Sequence, residues 1–148
     1  MKKRTLSWTT FILGVILFFF SSCKKEDPTP EPTLQEKIQG KWIGVESYYE
    51  EQVPGEPLHT ESEDISWTNF DFRANGELVI DSAGFDPYTY QYALTSDGKF
   101  VWYYDPVNSE VHEISVLTQN QLHLDVRGTY FNTDGKLVSY LESLRMRR

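Results

Sequence analysis

The sequence predicts an all-β domain: an antiparallel up-and-down barrel of about eight strands with a short N-terminal helix, preceded by an exported leader and a Pro-rich tether. Three observations carry this. From Lys41 to the end of the chain, apolar and polar residues alternate with a period of two rather than 3.6. The pairs Asn75-Gly76, Asp97-Gly98 and Asp134-Gly135 are turn residues that tolerate positive φ, and they punctuate the alternation where hairpins need them. The chain also carries 4 Trp, 9 Tyr and 9 Phe, which fill core volume and favour strands.

The leader is residues 1–22. Lys2, Lys3 and Arg4 precede an uncharged apolar run that ends in Ser21-Ser22-Cys23. A basic start, a short apolar stretch and small residues before the cut describe a secretory signal peptide. Even counted from Thr5 to Cys23, the uncharged run barely reaches the roughly 20 apolar residues of a spanning helix. The Ser21-Ser22-Cys23 sequence resembles the lipobox of bacterial lipoproteins. That resemblance implies a diacylglycerol thioether on Cys23, cleavage before it and acylation of the new amine. Cys23 is the one cysteine of the chain, so no disulfide framework is available.

Removing residues 1–22 from the 148 leaves 126, a single domain by length. The leader takes three of the 14 bases and none of the 22 acids, so the mature net charge is −11. Such a balance excludes nucleic acid and anionic membrane surfaces as partners, since both demand clustered Lys and Arg. Membrane attachment is therefore expected from the acyl chains alone, which suffice when there are two or more.

Residues 23–33 form the lipidated cysteine and its tether. Pro28, Pro30 and Pro32 at alternate positions favour polyproline II, so ten residues at about 3.1 Å each hold the domain about 30 Å from the lipid. Lys24-Lys25-Glu26-Asp27 resembles the charged export tags of surface lipoproteins in the Bacteroidota; a merely solvated linker is the alternative. The domain itself is residues 34–148. Thr33 with Glu36 makes a capping box, Leu34 with Ile38 an apolar i, i+4 pair, and Gly40 a stop, so a short helix is predicted over 33–39.

Strands are predicted over 41–49, 65–73, 77–82, 88–95, 99–105, 110–118, 121–130 and 136–146. Pro54, Pro57, Pro87 and Pro106 all fall between them, where a missing ladder donor costs nothing. Short connections without intervening helical pattern imply a meander, and closing it removes exposed edges. A short helix, then Gly40-Lys41-Trp42 opening the first of about eight meandering strands, resembles the lipocalin superfamily, and best the small lipocalin-like domains of bacterial lipoproteins. That resemblance covers 34–147. It implies a barrel floor at Gly40 and Trp42, with an Arg of the last strand, Arg145 or Arg147, packed across the Trp ring.

Alternate connections of a meander share one end of the barrel. One end receives 50–64, 83–87, 106–109 and 131–135, the other only 74–76, 96–98 and 119–120. Long loops at one rim and tight hairpins at the other predict an open mouth and a closed floor, with the mouth facing away from the membrane. Alternation turns Phe70, Phe72, Leu78, Ile80, Tyr88, Tyr90, Tyr92, Leu94, Phe100, Trp102, Tyr104, Leu122, Leu124 and Val126 inward. An eight-stranded barrel is just wide enough to be filled by side chains or to hold one small ligand. If it holds one, the candidate pocket residues are Tyr48, Phe72, Tyr90, Trp102 and Tyr104, with a small, partly apolar ligand. If it is filled, the barrel is a cell-envelope interaction or structural module.

The stretch 50–64 gathers six acids around His59 and reads as a long solvated loop, with a lid or calcium rim as the alternative. No metal site is expected. A two-residue turn at Gln119-Asn120 pairs His123 with Val116 and His112 with Arg127, which separates the histidines by about 13 Å at 3.3 Å per residue. Zinc–nitrogen bonds of about 2 Å do not span that. No nucleophile elbow or phosphate-binding Gly loop is present in the sequence. The expectation is a non-catalytic, monomeric outer-membrane lipoprotein, facing periplasm or medium, with no cofactor.

Overall fold

A computed structural model describes residues 30–148. The expected signal peptide, Cys23 and the expected tether up to residue 29 lie outside the described residues. Thr33 caps a short helix, α1 (Leu34–Ile38), through the expected box. Its Oγ1 accepts from Glu36 N at 3.2 Å, and its own N–H donates to Glu36 Oε2 at 2.6 Å. The Thr33 N–H and hydroxyl, both donating to Glu36 Oε2, hold the Glu36 carboxyl below its usual range. Gly40 leaves the helix at φ 109°, a conformation that suits glycine.

Nine strands follow: β1 (Gly40–Gln52), β2 (His59–Asp64), β3 (Thr68–Phe72), β4 (Glu77–Ser82), β5 (Tyr88–Leu94), β6 (Phe100–Tyr103), β7 (Ser109–Leu117), β8 (Gln121–Phe131) and β9 (Leu137–Arg147). All pair antiparallel with their neighbours in the meander, and β9 returns to β1, so the sheet closes into a barrel. β2 and β3 lie along successive stretches of one edge of β1: Glu46–Glu51 meets β2, and Gly40–Ile43 meets β3. Together they fill one place, which makes the barrel eight-stranded.

β2 corrects the expected loop at 50–64. β1 runs on to Gln52, only 53–58 is turn, and His59–Asp64 is strand. Every residue of β2 is exposed, so neither face carries the apolar half of an alternation, and the pattern that marks a strand is missing. Its outer edge pairs with no described strand, and its acids suit such an edge because charge discourages edge-to-edge association. The chain then turns through Ile65–Trp67. Asp64 Oδ1 accepts from Ser66 N at 2.8 Å, Asp64 O from Trp67 Nε1 at 3.0 Å, and Ile65 O from Thr68 N at 2.9 Å.

Two bulges shift the period elsewhere. Between Gly44 and Glu46 the β1–β9 register slips by one, so Trp42 and Ser47 share a face while Glu46 and Tyr48 turn to the other. Between Ile114 and Val116 the β7–β8 register slips likewise. Val116 still meets His123, but Glu113 meets Asp125 rather than Val126, so His112 does not come opposite Arg127 as uniform pairing required.

The floor is solid. Ile38, Trp42, Leu78, Phe100 and Leu122 are fully buried, with Phe72, Leu124 and Met146 nearly so. Phe72 meets Tyr92 and Phe100 edge-on at 5.5 and 5.7 Å, and Tyr92 stacks on Phe100 at 5.4 Å, arrangements that the ring quadrupoles favour. Helix α1 plugs the end. Trp42 Nε1 donates to Ile38 O at 2.7 Å, and Gln35 Nε2 donates to Tyr92 Oη at 2.8 Å. The cation over Trp42 is Arg148, 4.3 Å from the ring centroid, not Arg145 or Arg147. Leu144 and Met146 face the core, so the odd positions point outward and 148 is the next inward place.

Candidate functional site

Above the aromatic floor the side chains no longer meet. A cavity of about 390 Å³, open to solvent at the mouth, lies between β1–β3 and the facing strands β6–β9. Ile65, Phe70, Ile80, Leu124 and Leu144 supply its apolar wall. Trp102, Tyr104, Glu110 and His112 face them as a polar wall, with Glu63, Trp67 and Glu142 also in the lining. The polar wall follows from pairing across two strands: Trp102 sits opposite Glu110 and Phe100 opposite His112. In β7, Glu110, His112 and Ile114 alternate inward from mouth to core.

His112 is 6% exposed, and neither ring nitrogen has a hydrogen-bond partner among the described residues. Its Nε2 lies 3.4 Å from Glu110 Oε2, near enough for attraction but not a hydrogen bond. Burial pushes the imidazole below its ordinary value of 6.5, against the pull of Glu110 and Asp125. It is therefore neutral near neutral pH, with one nitrogen a donor and the other an acceptor. Trp102 Nε1 is likewise buried without an acceptor among the described residues. Unpaired polar atoms of this kind are costly, by about 1–3 kcal/mol each, unless something in the cavity meets them. The Tyr104 hydroxyl donates to Glu110 Oε2. Burial and that carboxylate raise the phenol well above its ordinary value.

Of the sequence-predicted pocket residues, Trp102 and Tyr104 line the cavity. Tyr90 backs them, edge-on to Trp102 at 5.6 Å and to Tyr104 at 6.3 Å. It opens instead on a second hollow, about 480 Å³, shared with Gln91, Tyr103 and Pro106. That hollow takes residues from both faces of β5, Thr89 and Gln91 beside Tyr90, so it is a surface depression rather than barrel interior, and among the described residues it holds no unpaired buried polar atom. Phe72 belongs to the floor. Tyr48 is a correction: the bulge after Gly44 turns it to the outer face, where its hydroxyl donates to Glu50 Oε2 at 2.9 Å. Its ring lies 4.7 Å below Arg145, which pairs with Glu46 at 2.6 Å. Tyr88, expected inside, is 59% exposed.

Sequence reasoning missed Glu110, His112 and Glu142. Their signal was present: each stands two residues from an inward neighbour in an alternating run, Ile114 for His112 and Leu144 for Glu142. Among the described residues, no group of three or more His, Cys, Asp or Glu side chains is placed to hold a metal ion.

No family model matches the chain, and no curated protein matches it. Among solved structures it is similar to bovine odorant binding protein in complex with undecanal, at 18% identity over 82% of this chain and 77% of that one, with a TM-score of 0.38. It is similar also to the same bovine protein with a selenium-containing odorant, at 16% identity over 83% and 77%, with a TM-score of 0.39. The closed barrel described above rests on the strand pairing itself.

Proposed function

We propose that the chain is a membrane-anchored, lipocalin-like lipoprotein whose barrel binds a small, partly apolar ligand without transforming it. The observation that carries this is the cavity with its unmet polar atoms. Its volume of about 390 Å³ exceeds the roughly 300 Å³ at which ligand pockets begin. The alternative is a filled barrel serving as an interaction module; the open volume beside Ile80, Trp102 and Leu144 favours binding over it. Anchoring belongs to the same proposal: acylation at Cys23, with the chain joining the barrel at its plugged end and the mouth left open to what the envelope brings. No chemical step is included.

Native mass spectrometry of the protein purified from its own cells tests the binding, beside Ile80→Trp, which adds a ring where the cavity is. A small molecule that co-purifies with the wild type and not with a folded Ile80→Trp is the expected result. A wild type without companion mass, and without affinity for a neutral naphthylamine dye, overturns the proposal.

A further inference from the structure

The charges lining the cavity are of one sign. Glu63, Glu110 and Glu142 are carboxylates, and among the described residues no Lys or Arg joins them. Of the bases on the barrel, Arg145 pairs with Glu46 on the outer face, and Lys136 with Glu56 at the hairpin tips. Trp102 and Tyr104 stack beside Glu110, 5.5 Å apart and tilted by 24°, which presents a continuous π surface. Carboxylates beside aromatic faces attract a cation twice, by direct charge and by the ring quadrupole.

The acids alone would describe only a solvated rim. His112 makes them a site, because more than nine-tenths of it is buried, it lines the cavity, and both its nitrogens lack partners among the described residues. A neutral imidazole offers an acceptor nitrogen, and an ammonium donor satisfies it while also donating to Glu110. An anionic head would meet like charge at Glu63, Glu110 and Glu142 and leave the acceptor empty. Trp102 Nε1 needs the opposite partner, so the ligand also carries an acceptor or brings a water that supplies one.

Resting on the reading that this cavity holds a ligand, we infer that the ligand is an organic cation: an amine whose ammonium head sits at Glu110 and Glu142 against the Trp102–Tyr104 stack, with its apolar body among Phe70, Ile80 and Leu124.

Three compounds of one shape and different head charge test this: 4-phenylbutylamine, 4-phenylbutanol and 4-phenylbutyrate. Each is titrated calorimetrically into the protein at neutral pH and also competed against the neutral dye N-phenyl-1-naphthylamine. The amine is expected to bind about tenfold or more tighter than the alcohol, and the carboxylate weakest. Glu110→Gln keeps an acceptor for Tyr104 and removes the charge, and is expected to bring the amine-to-alcohol ratio close to unity. An alcohol or carboxylate that binds as well as the amine overturns the inference and leaves the cavity reading standing. So does a dye that binds but is displaced no better by the amine, or a ratio unmoved by both Glu110→Gln and Glu142→Gln. No heat from any of the three, with no dye binding, overturns both.

Discussion

The guanidinium of Arg148 lies over the indole of Trp42, 4.3 Å from its centroid, and its Nη2 donates to the carbonyls of Lys37 and Gln39 at 2.9 and 2.7 Å. The end of the chain thus locks the last turn of α1 onto the first strand. Arg148→Ala removes the cation–π contact and leaves those two carbonyls to water. The expected loss is about 1 kcal/mol, since the group is exposed. Trp42→Ala, which opens a fully buried site, should cost about 3–5 kcal/mol. Urea midpoints check both. Arg147→Ala with as large an effect as Arg148→Ala would refute the assignment.

Gly44 sits where the bend between β2 and β3 crosses β1. A Cβ there would come within 2.4 Å of Ile65 O and 2.9 Å of Ile65 Cγ1. The first of these is backbone and has no rotamer to yield with. Gly44→Ala should therefore cost about 2 kcal/mol in urea denaturation, as crowding a packed interior does. An unchanged midpoint would mean that the bend at Ile65 is free to move outward.

Stability should fall on mild acidification through the histidines. Burial holds both His112 and His123 below their ordinary 6.5 in the folded chain. Between that value and the depressed ones, the unfolded chain binds more protons than the folded one, so stability rises with pH there. This contribution is complete above 6.5 and is lost as pH falls through the folded values. The exposed carboxylates that are held low, such as Glu36 and Asp97, titrate below this window and act in the same direction at lower pH. The urea midpoint should drop from about pH 7.5 to about pH 5, and less steeply in His112→Gln. Equal slopes in the two proteins would show that His112 takes up its proton as readily folded as unfolded.

Under the proposed anchoring, Cys23→Ser should abolish metabolic labelling with a fatty acid and move the protein from the detergent phase to the aqueous phase. The barrel, which begins after residue 33, should keep its circular dichroism. A Cys23→Ser protein that is still labelled would place the lipid elsewhere.

How far the sequence was legible follows from what each residue depends on. Thr33 and Glu36 cap a helix by local bonds, and Gly76, Gly98 and Gly135 take positive φ within their own hairpins, so both were readable. Phe70, Phe72, Leu78 and Phe100 declare their faces because strand period is local too. Bulges are different. Nothing at Val45 or Ser115 announces an extra residue, yet each reverses every face beyond it, and this is why Tyr48 left the interior. Arg148 took the place expected of Arg145 or Arg147 because β9 alternates regularly with Leu144 and Met146 inward. β2 was hidden because a strand wet on both faces carries no alternation. Glu110 and His112 stand in register with inward Ile114, so their face was readable, but the open space above the floor rings was not.

Helix α1 and strand β1 also differ in how they would bear tension. A pull on the chain ahead of Thr33 first reaches a one-turn plug held by Gln35 on Tyr92, by Arg148 and by the buried side chain of Ile38. Beyond it lies β1, bonded along one edge to β3 and β2 and along the other to β9, whose ladder rungs run across the line of force and would have to shear together. The barrel is thus built with a weak first link in front of a strong second one. Under the proposed anchoring, drag on the molecule would loosen its base before it threatened its walls.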